Sequence, residues 1–451
     1  MEAKAVTEQG QLKRTLKLPQ LFFIGMAYLS PAAVTMYFGI LSVLSGGHYP
    51  IVIAITAVAM LFTAISYAKM TRRYPVAGSV YTYTQKTMNP HLGFMVGWAM
   101  LADYLLLPMV CYLSFGIYLN VAMPSVPIWV WIIIGVLIVT LFNLRGITVA
   151  STVDTIISLL GIAALVVTII LAVIYVFDGG GEGTLFATDI YIKPESFTMT
   201  GVLAASAILA VGFLGFDAVS TMAEETVNPE KTIGRAAVLI CLGAGLLWVV
   251  TAIIMNAAWP NAFSEVTDPD SAITEFYVKI GYPMFNYIFI VLNSVCCIAI
   301  CITGQMAVSR IMYSMGRDGF LPQKVFGYLS PKTGVPVYNI LIAGIVGLVA
   351  IIFQGNMTGA ASLVSFGALV GFFFVNLSVV MQYWVKDRKR GGKAVFQYIV
   401  IPAIGAVVIL YLFFSLETNA KIIGGIWLAA GLVYLLFKTK GLRQLPPQIE
   451  L

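Results

Sequence analysis

The sequence is poor in the residues that build most enzyme centres and soluble surfaces. Two histidines and five cysteines occur in 451 residues, and only 10% of the residues are charged. Soluble domains carry roughly 25% charged residues. His48 and His91 stand apart at the ends of apolar segments, and no Walker loop or nucleophile–base pair is present. The sequence therefore predicts neither an enzyme nor a bound metal or cofactor.

The cysteines give no sign of a disulfide framework. All of them fall inside apolar segments: Cys111, Cys241, Cys296, Cys297 and Cys301. Cys297 and Cys301 have the spacing of two ligands on one helix face, but no histidine lies near them. Packing inside the protein is the favoured role for these small, polarizable side chains.

Long apolar runs dominate the chain, and 60% of its residues are hydrophobic. A spanning helix needs about 20 mostly apolar residues, and this pattern predicts twelve spans. They cover residues 18–44, 52–70, 92–121, 128–144, 151–177, 199–223, 235–259, 282–313, 337–354, 359–384, 395–415 and 422–437. The predicted fold is an all-α integral membrane protein in a lipid bilayer. The polar segment between spans 2 and 3 (71–91) is expected to be re-entrant or interfacial.

The basic residues predict the orientation, because cytoplasmic loops are enriched in Lys and Arg. With the N-terminus inside, only three of the 26 basic residues lie outside: Lys193, Lys279 and Lys421. Both termini are therefore expected in the cytoplasm, in a cell membrane. The net charge of +6 arises from short clusters between spans, so no nucleic-acid surface is expected. The acidic outer loops 178–198 and 260–281 are either ordinary solvated loops or a weak funnel for cations.

Two spans contain residues that interrupt helices. Span 1 carries Pro31 at mid-membrane, and span 6 carries Gly212 and Gly215. Breaks five spans apart indicate two inverted five-helix repeats with a solute site between them at the midplane. The predicted division is a tail (1–17), two repeats (18–177 and 199–384), two accessory helices (395–437) and a second tail (438–451). The alternative is that both helices merely kink.

Two carboxyl groups lie deep inside spans without a basic residue at the same depth: Asp103 in span 3 and Asp217 in span 6. A central aspartate costs roughly 2.5–3.5 kcal/mol on insertion scales, which makes it a functional candidate. It can take up a proton or bind a cation. The structural alternatives are that Asp217 caps a half-helix and that Asp103 bonds to neighbouring backbone.

Four stretches carry a resemblance to a known family. They are Tyr74–Lys86 with Asn89–Trp98, Phe213–Val219 with Glu224–Glu230, Ser309–Pro322, and Phe366–Val370 with Asn376–Val379. Through these motifs the chain resembles the amino acid–polyamine–organocation superfamily of transporters, and within it most resembles bacterial putrescine importers. The resemblance implies a LeuT-type core of ten helices plus two more, and transport by alternating access.

The resemblance also draws attention to the span 1 break. Amino acid transporters of this superfamily have Gly-Ser-Gly there, with free amides that hold the substrate carboxylate. This chain has Leu29, Ser30 and Pro31, and Pro31 has no N–H to offer. A lysine that replaces sodium in some members is also missing, because Gly161 matches its position. The implied substrate has amines and no α-carboxylate, and the choice between proton and sodium coupling stays open.

By position in the superfamily fold, a set of residues around the breaks is expected to line the substrate site. They are Tyr28, Ser30, Pro31, Leu107, Cys111, Tyr112, Phe213, Leu214, Gly215, Phe216 and Asp217. Phe213 and Phe216 are either gates that face an ammonium group or packing residues. Asp103 and Asp217 are the candidates for proton coupling.

The predicted function is import of a small organic cation, namely putrescine or a related polyamine, by alternating access, with H⁺ as the expected coupling ion. The protein would work as a monomer or a weak homodimer. One alternative is an amino acid permease or exchanger of the same fold. The alternative from another class is a membrane protein that senses a substrate without net transport.

Overall fold

The computed structural model describes residues 14–446 apart from residues 15, 76–78, 146–150, 318, 320 and 332. The predicted tails and the 74–86 motif therefore lie partly outside the described residues. All regular structure within that range is helical, with one isolated bridge between Leu16 and Thr226. Ten of the described helices are long and apolar enough to cross a membrane. The predicted all-α membrane fold is confirmed.

The predicted spans correspond in chain order to these helices. Span 1 is Leu18–Leu29, Ala33–Met36 and Phe38–Ser45, followed by Tyr49–Arg73, Pro90–Ala122, Ile128–Leu144 and Ser151–Phe177. Span 6 is Met199–Leu209, Ala210–Phe213 and Ala218–Glu225, followed by Pro229–Ala258 and Pro283–Arg317. Span 9 is Val337–Gly347 and Leu348–Phe353, span 10 is Met357–Val379 and Val380–Lys386, span 11 is Gly392–Val395, Phe396–Val400 and Ile401–Ser415, and span 12 is Thr418–Lys438. Spans 4 and 9 are apolar helices shorter than the other ten.

Span 1 is interrupted where the sequence predicts. Its first helix ends at Leu29, and Ser30 has a positive φ of 56°. Pro31 has no N–H to continue the helical pattern. Its carbonyl oxygen accepts a hydrogen bond from Trp248 Nε1 at 2.8 Å. The Trp248 side chain of span 7 therefore pairs with the Pro31 carbonyl, which the break exposes.

Span 6 changes from an α-helix to 3₁₀ geometry at Ala210 and opens completely between Phe213 and Ala218. Gly215 has a φ of 134°, a conformation that other residues rarely adopt. A Cβ at this position would lie 2.9 Å from both Gly25 O and Leu29 N. Glycine is therefore required for the two breaks to touch each other. The predicted interruption of span 6 is confirmed.

The segment between spans 2 and 3 forms a short helix, Ser79–Thr87, packed against the start of span 3. Ser220 Oγ, in the last part of span 6, donates a hydrogen bond to Ser79 Oγ at 2.9 Å. The chain before span 1 holds the same part of span 6, since Leu16 N donates to Glu225 O at 3.0 Å and Val227 N donates to Leu16 O at 2.9 Å. These contacts close the bundle on the predicted inner side.

Span 12 is fixed to span 3 by a pair of tryptophans. Trp98 Nε1 donates to Trp427 O at 2.9 Å, and Trp427 Nε1 donates to Trp98 O at 2.8 Å. Their rings stack with centroids 4.9 Å apart. This accessory helix thus braces the span that carries Asp103.

Loss of the indole N–H at Trp248 should destabilise the span 1 break. Trp248→Phe leaves the buried Pro31 carbonyl without its donor, which costs about 1–3 kcal/mol. Thermal unfolding of the purified protein in detergent should show a lower midpoint. Trp131→Phe is the matched control, because Trp131 Nε1 has no hydrogen-bond partner among the described residues. Equal midpoints for the two variants would contradict this role of Trp248.

Candidate functional site

A small cavity lies where the two breaks meet, between spans 1, 3, 6 and 8. Its volume is about 40 Å³, which is room for a few water molecules, since one needs roughly 10–15 Å³ of such space. Its wall is formed by Tyr28, Leu29, Ser30, Ala33, Met36, Tyr37, Leu107, Val110, Cys111, Val211, Gly212, Leu214, Cys297 and Ile300. A solute with a chain of several heavy atoms would need more space than this cavity offers.

Several residues predicted for the site form part of this wall: Tyr28, Ser30, Leu107, Cys111 and Leu214. The structure brings them together from three different spans. The Tyr28 hydroxyl is buried and has no hydrogen-bond partner among the described residues. It is a free polar group beside the break in span 1.

Other predicted residues lie outside the cavity wall. The Phe213 ring packs edge-on against Trp248 with centroids 4.7 Å apart, and the Phe216 ring lies 5.3 Å from that of Phe372. Both rings thus pack between helices in this conformation, and a gating role remains a prediction. Pro31 packs toward Gly161 of span 5.

Tyr112 and Gly215 also lie away from the cavity wall. Tyr112 turns toward span 9, where a Cβ at Gly347 would lie 2.7 Å from its ring. Gly215 forms the contact between the breaks. Neither position supplies a side chain to the cavity in this conformation.

Asp217 is buried beside the span 6 break, with 1% of its surface exposed. Its Oδ1 accepts a hydrogen bond from Gly215 N at 3.1 Å, and its Oδ2 accepts one from Tyr104 Oη at 3.3 Å. The side chain therefore holds the turn of the break, but it makes no side-chain cap hydrogen bond to the half-helix Ala218–Glu225 that follows it. Each oxygen retains further acceptor capacity, so an ammonium group remains a possible additional partner once the cavity opens.

Asp103 has a different environment. It is 1% exposed, and neither carboxyl oxygen has a hydrogen-bond partner among the described residues. Span 10 packs closely over it, since a Cβ at Gly367 would lie 3.1 Å from both Asp103 N and Asp103 Cβ. A buried carboxylate without partners is costly unless it takes up a proton or a cation. Asp103 is thus chemically suited to either event.

The acidic loop 260–281, before span 8, covers the predicted outer side of the bundle, opposite the contacts of Leu16 with span 6. A Cβ at Gly39 of span 1 would lie 2.5 Å from Pro269 O, which shows how closely the loop packs. Asp270 Oδ2 accepts a hydrogen bond from Met357 N at 3.3 Å. Burial raises the pKa of Asp270 above its usual range, and the Met357 bond partly offsets this rise. This carboxyl group therefore joins the loop to the start of span 10.

Sequence reasoning missed the contribution of span 8 and the outer half of span 1. Cys297 and Ile300 border the cavity, as do Ala33 and Tyr37. Helical spacing after Ser30 was an available signal for Ala33 and Tyr37. Span 8 carries neither a break nor a charge at this depth, so only its packing in three dimensions identifies its inward face.

Two interrupted helices that meet at a central cavity define this protein as a secondary membrane transporter. The chain belongs to the amino acid permease family, whose model matches residues 20–438. Over 445 residues it is 38% identical to the low-affinity putrescine importer PlaP of Escherichia coli K12, with 98% of each chain covered. It is also 28% identical to the branched-chain amino acid permease BcaP of Bacillus subtilis, over 97% of this chain and 95% of the relative. Identity to the methylthioribose transporter of B. subtilis is 26%, with 97% and 96% covered.

Replacement of Asp217 by asparagine should separate its two roles. The amide oxygen can still accept from Gly215 N, whereas the negative charge is lost. We expect putrescine binding to weaken by about 1.5–3 kcal/mol, the range for hydrogen bonds to charged groups, while thermal stability stays close to that of the unmodified protein. Asp217→Ala is the comparison, because it also removes the bond to Gly215 N and should lower stability. Unchanged putrescine affinity in folded Asp217→Asn would leave only the role of holding the turn of the break.

Proposed function

We propose that this transporter imports putrescine or a closely related polyamine by alternating access. The similarity to a putrescine importer along nearly the whole chain supports this substrate. The distribution of basic residues supports cytoplasmic termini. Residues 18–177 and 199–384 would act as the two repeats that move relative to each other.

The observation that carries the proposal is the chemistry of the two breaks. The nearby carboxyl groups are Asp103 and Asp217, and the amides of Ser30 and Gly215 are already engaged. Ser30 N donates to Ala27 O at 3.2 Å, Gly215 N donates to Asp217 Oδ1 at 3.1 Å, and Pro31 has no N–H. A substrate carboxylate would therefore meet negative charge and few free donors. An ammonium group would meet acceptors.

Each chemical feature of a diamine then has a matching group of residues in the site. One ammonium group binds at Asp217, next to the hydroxyl and ring of Tyr28. The alkyl chain lies against the apolar wall formed by Leu107, Leu214 and Ile300. Separation of Leu16 from Thr226 on one side, or of Pro269 from Gly39 on the other, would open the cavity to one side at a time.

Asp103 is the proposed proton-coupling group, because its carboxyl group is buried and unpartnered. Asp103→Asn mimics the protonated state permanently. We expect this variant to lose concentrative uptake driven by a pH gradient but to retain exchange of internal for external putrescine. Both activities can be measured in the same proteoliposomes. Loss of exchange with intact proton dependence would show that Asp103 binds substrate or supports the fold, and sodium-dependent, pH-insensitive uptake by the unmodified protein would exclude proton coupling.

Counterflow tests the proposed substrate class directly. Proteoliposomes loaded with unlabelled putrescine should accumulate labelled putrescine, whereas loading with leucine should have little effect. Protein-free liposomes and Asp217→Asn protein are the controls. Accumulation driven by amino acids alone would support the permease alternative. Specific binding without any counterflow would support a sensor.

A further inference from the structure

Two stacked tyrosines at the predicted inner ends of spans 10 and 11 gather basic side chains around them. The rings of Tyr383 and Tyr398 are nearly parallel, with centroids 4.6 Å apart. Lys69 Nζ of span 2 lies 5.3 Å from the Tyr398 centroid. Lys389 Nζ, from the loop between spans 10 and 11, lies 4.7 Å from the Tyr383 centroid and 5.4 Å from that of Tyr398. Both ammonium groups are within the range of cation–π attraction to this ring pair.

Hydrogen bonds hold the two lysines at the tyrosines. Tyr383 Oη donates to Lys69 O at 2.9 Å, and Lys389 N donates to Tyr383 O at 3.0 Å. Lys69 Nζ donates to Gln397 O, next to Tyr398. The two tyrosines lie in the π-helical segments Val380–Lys386 and Phe396–Val400, a geometry that is frequent at functional sites. The position of both cations is therefore fixed by three helices.

Two arginines add to the positive charge. Arg72 and Arg73 belong to the last turn of span 2 and are near enough to Tyr383 to interact with it electrostatically. Together with Lys69 and Lys389 they form a group that we call the basic cluster. Within the described structure, none of these four residues forms an ion pair with a carboxylate. Like charges held together repel, so the basic cluster would gain from a bound anion.

One carboxyl group of the chain lies close to the basic cluster. Asp387 also interacts electrostatically with Tyr383, and its Oδ1 accepts a hydrogen bond from Gln382 Nε2 at 2.8 Å. One negative charge beside the four positive charges of the cluster leaves a net charge of +3. The loop adds further basic residues: Lys386, Arg388, Arg390 and Lys393. Asp387 therefore does not neutralise this region.

The surroundings of the basic cluster fit a lipid. Val385, Val395 and Phe396 flank the two tyrosines in sequence and are 48%, 37% and 59% exposed. They belong to helices that are long and apolar enough to cross a membrane. Aromatic and basic side chains are typical of the level of the lipid headgroups, and basic pockets between helices on the cytoplasmic side bind anionic headgroups. An anion at the basic cluster would thus have apolar surface beside it for acyl chains.

We propose that the basic cluster binds the phosphate group of an anionic phospholipid in the predicted inner leaflet. The acyl chains of this lipid lie along the exposed apolar side chains of spans 10 and 11. Spans 2 and 10 belong to different predicted repeats, so the bound lipid connects the two. This inference uses the predicted orientation of the chain and does not depend on the transported substrate.

Direct lipid binding tests the basic cluster. Labelled phosphatidylglycerol and phosphatidylcholine with identical acyl chains are titrated onto the full-length protein in detergent micelles. The unmodified protein should bind phosphatidylglycerol at least about tenfold more tightly, because each basic residue near an anionic headgroup contributes about 1 kcal/mol. The double variant Lys69→Gln/Lys389→Gln should lower this preference by about tenfold. Lys389→Gln alone, which changes an exposed side chain and tests the cluster if the double variant does not fold, should lower it by about threefold or more.

Lys438→Gln/Lys440→Gln is the matched control. It removes the same charge from the predicted inner end of span 12, where both lysines are exposed. This variant should keep the preference for phosphatidylglycerol within about twofold of that of the unmodified protein. Equal losses in the two double variants would show diffuse attraction to the positive surface and overturn the site, as would the absence of any preference in the unmodified protein. Displacement of phosphatidylglycerol by an equal concentration of inorganic phosphate would show a site for free phosphate and overturn the lipid as its ligand.

Discussion

A helix that stops inside a bilayer must find partners for the backbone groups that it exposes, and this requirement shapes the centre of the transporter. Trp248 satisfies the carbonyl of Pro31, and Asp217 satisfies the amide of Gly215. The φ of Gly215 and its missing side chain let the two broken backbones approach each other. The cavity lies where the two breaks meet. Its chemistry is therefore set by the polar groups that are not already hydrogen-bonded within the breaks.

The unpaired polar groups beside the breaks are mostly hydrogen-bond acceptors. Asp103 has two unpartnered carboxyl oxygens, and the hydroxyl of Tyr28 is also unpartnered within the described structure. These groups are buried, so a positive charge gains more from them than it would at an exposed surface.

The sequence predicted the helices and both breaks because these follow from local properties: apolar length, the missing N–H of Pro31 and the freedom of Gly215. It also identified Asp103 and Asp217, since a charge inside an apolar run is visible in one dimension. It did not predict that Phe213 and Phe216 pack on Trp248 and Phe372, which are distant in sequence. Cys297 and Ile300 were missed for the same reason, because the inward face of span 8 is defined by its packing against span 3.

The proposed function requires the breaks to accept ammonium groups and to disfavour an α-carboxylate. Ornithine tests this most directly, because it is putrescine with one α-carboxylate added. Equilibrium binding of both compounds to the purified protein should show putrescine bound at least about tenfold more tightly, since burial of an unpaired carboxylate costs more than 1.4 kcal/mol. Ornithine affinity equal to or higher than that of putrescine would contradict this preference and favour an amino acid permease.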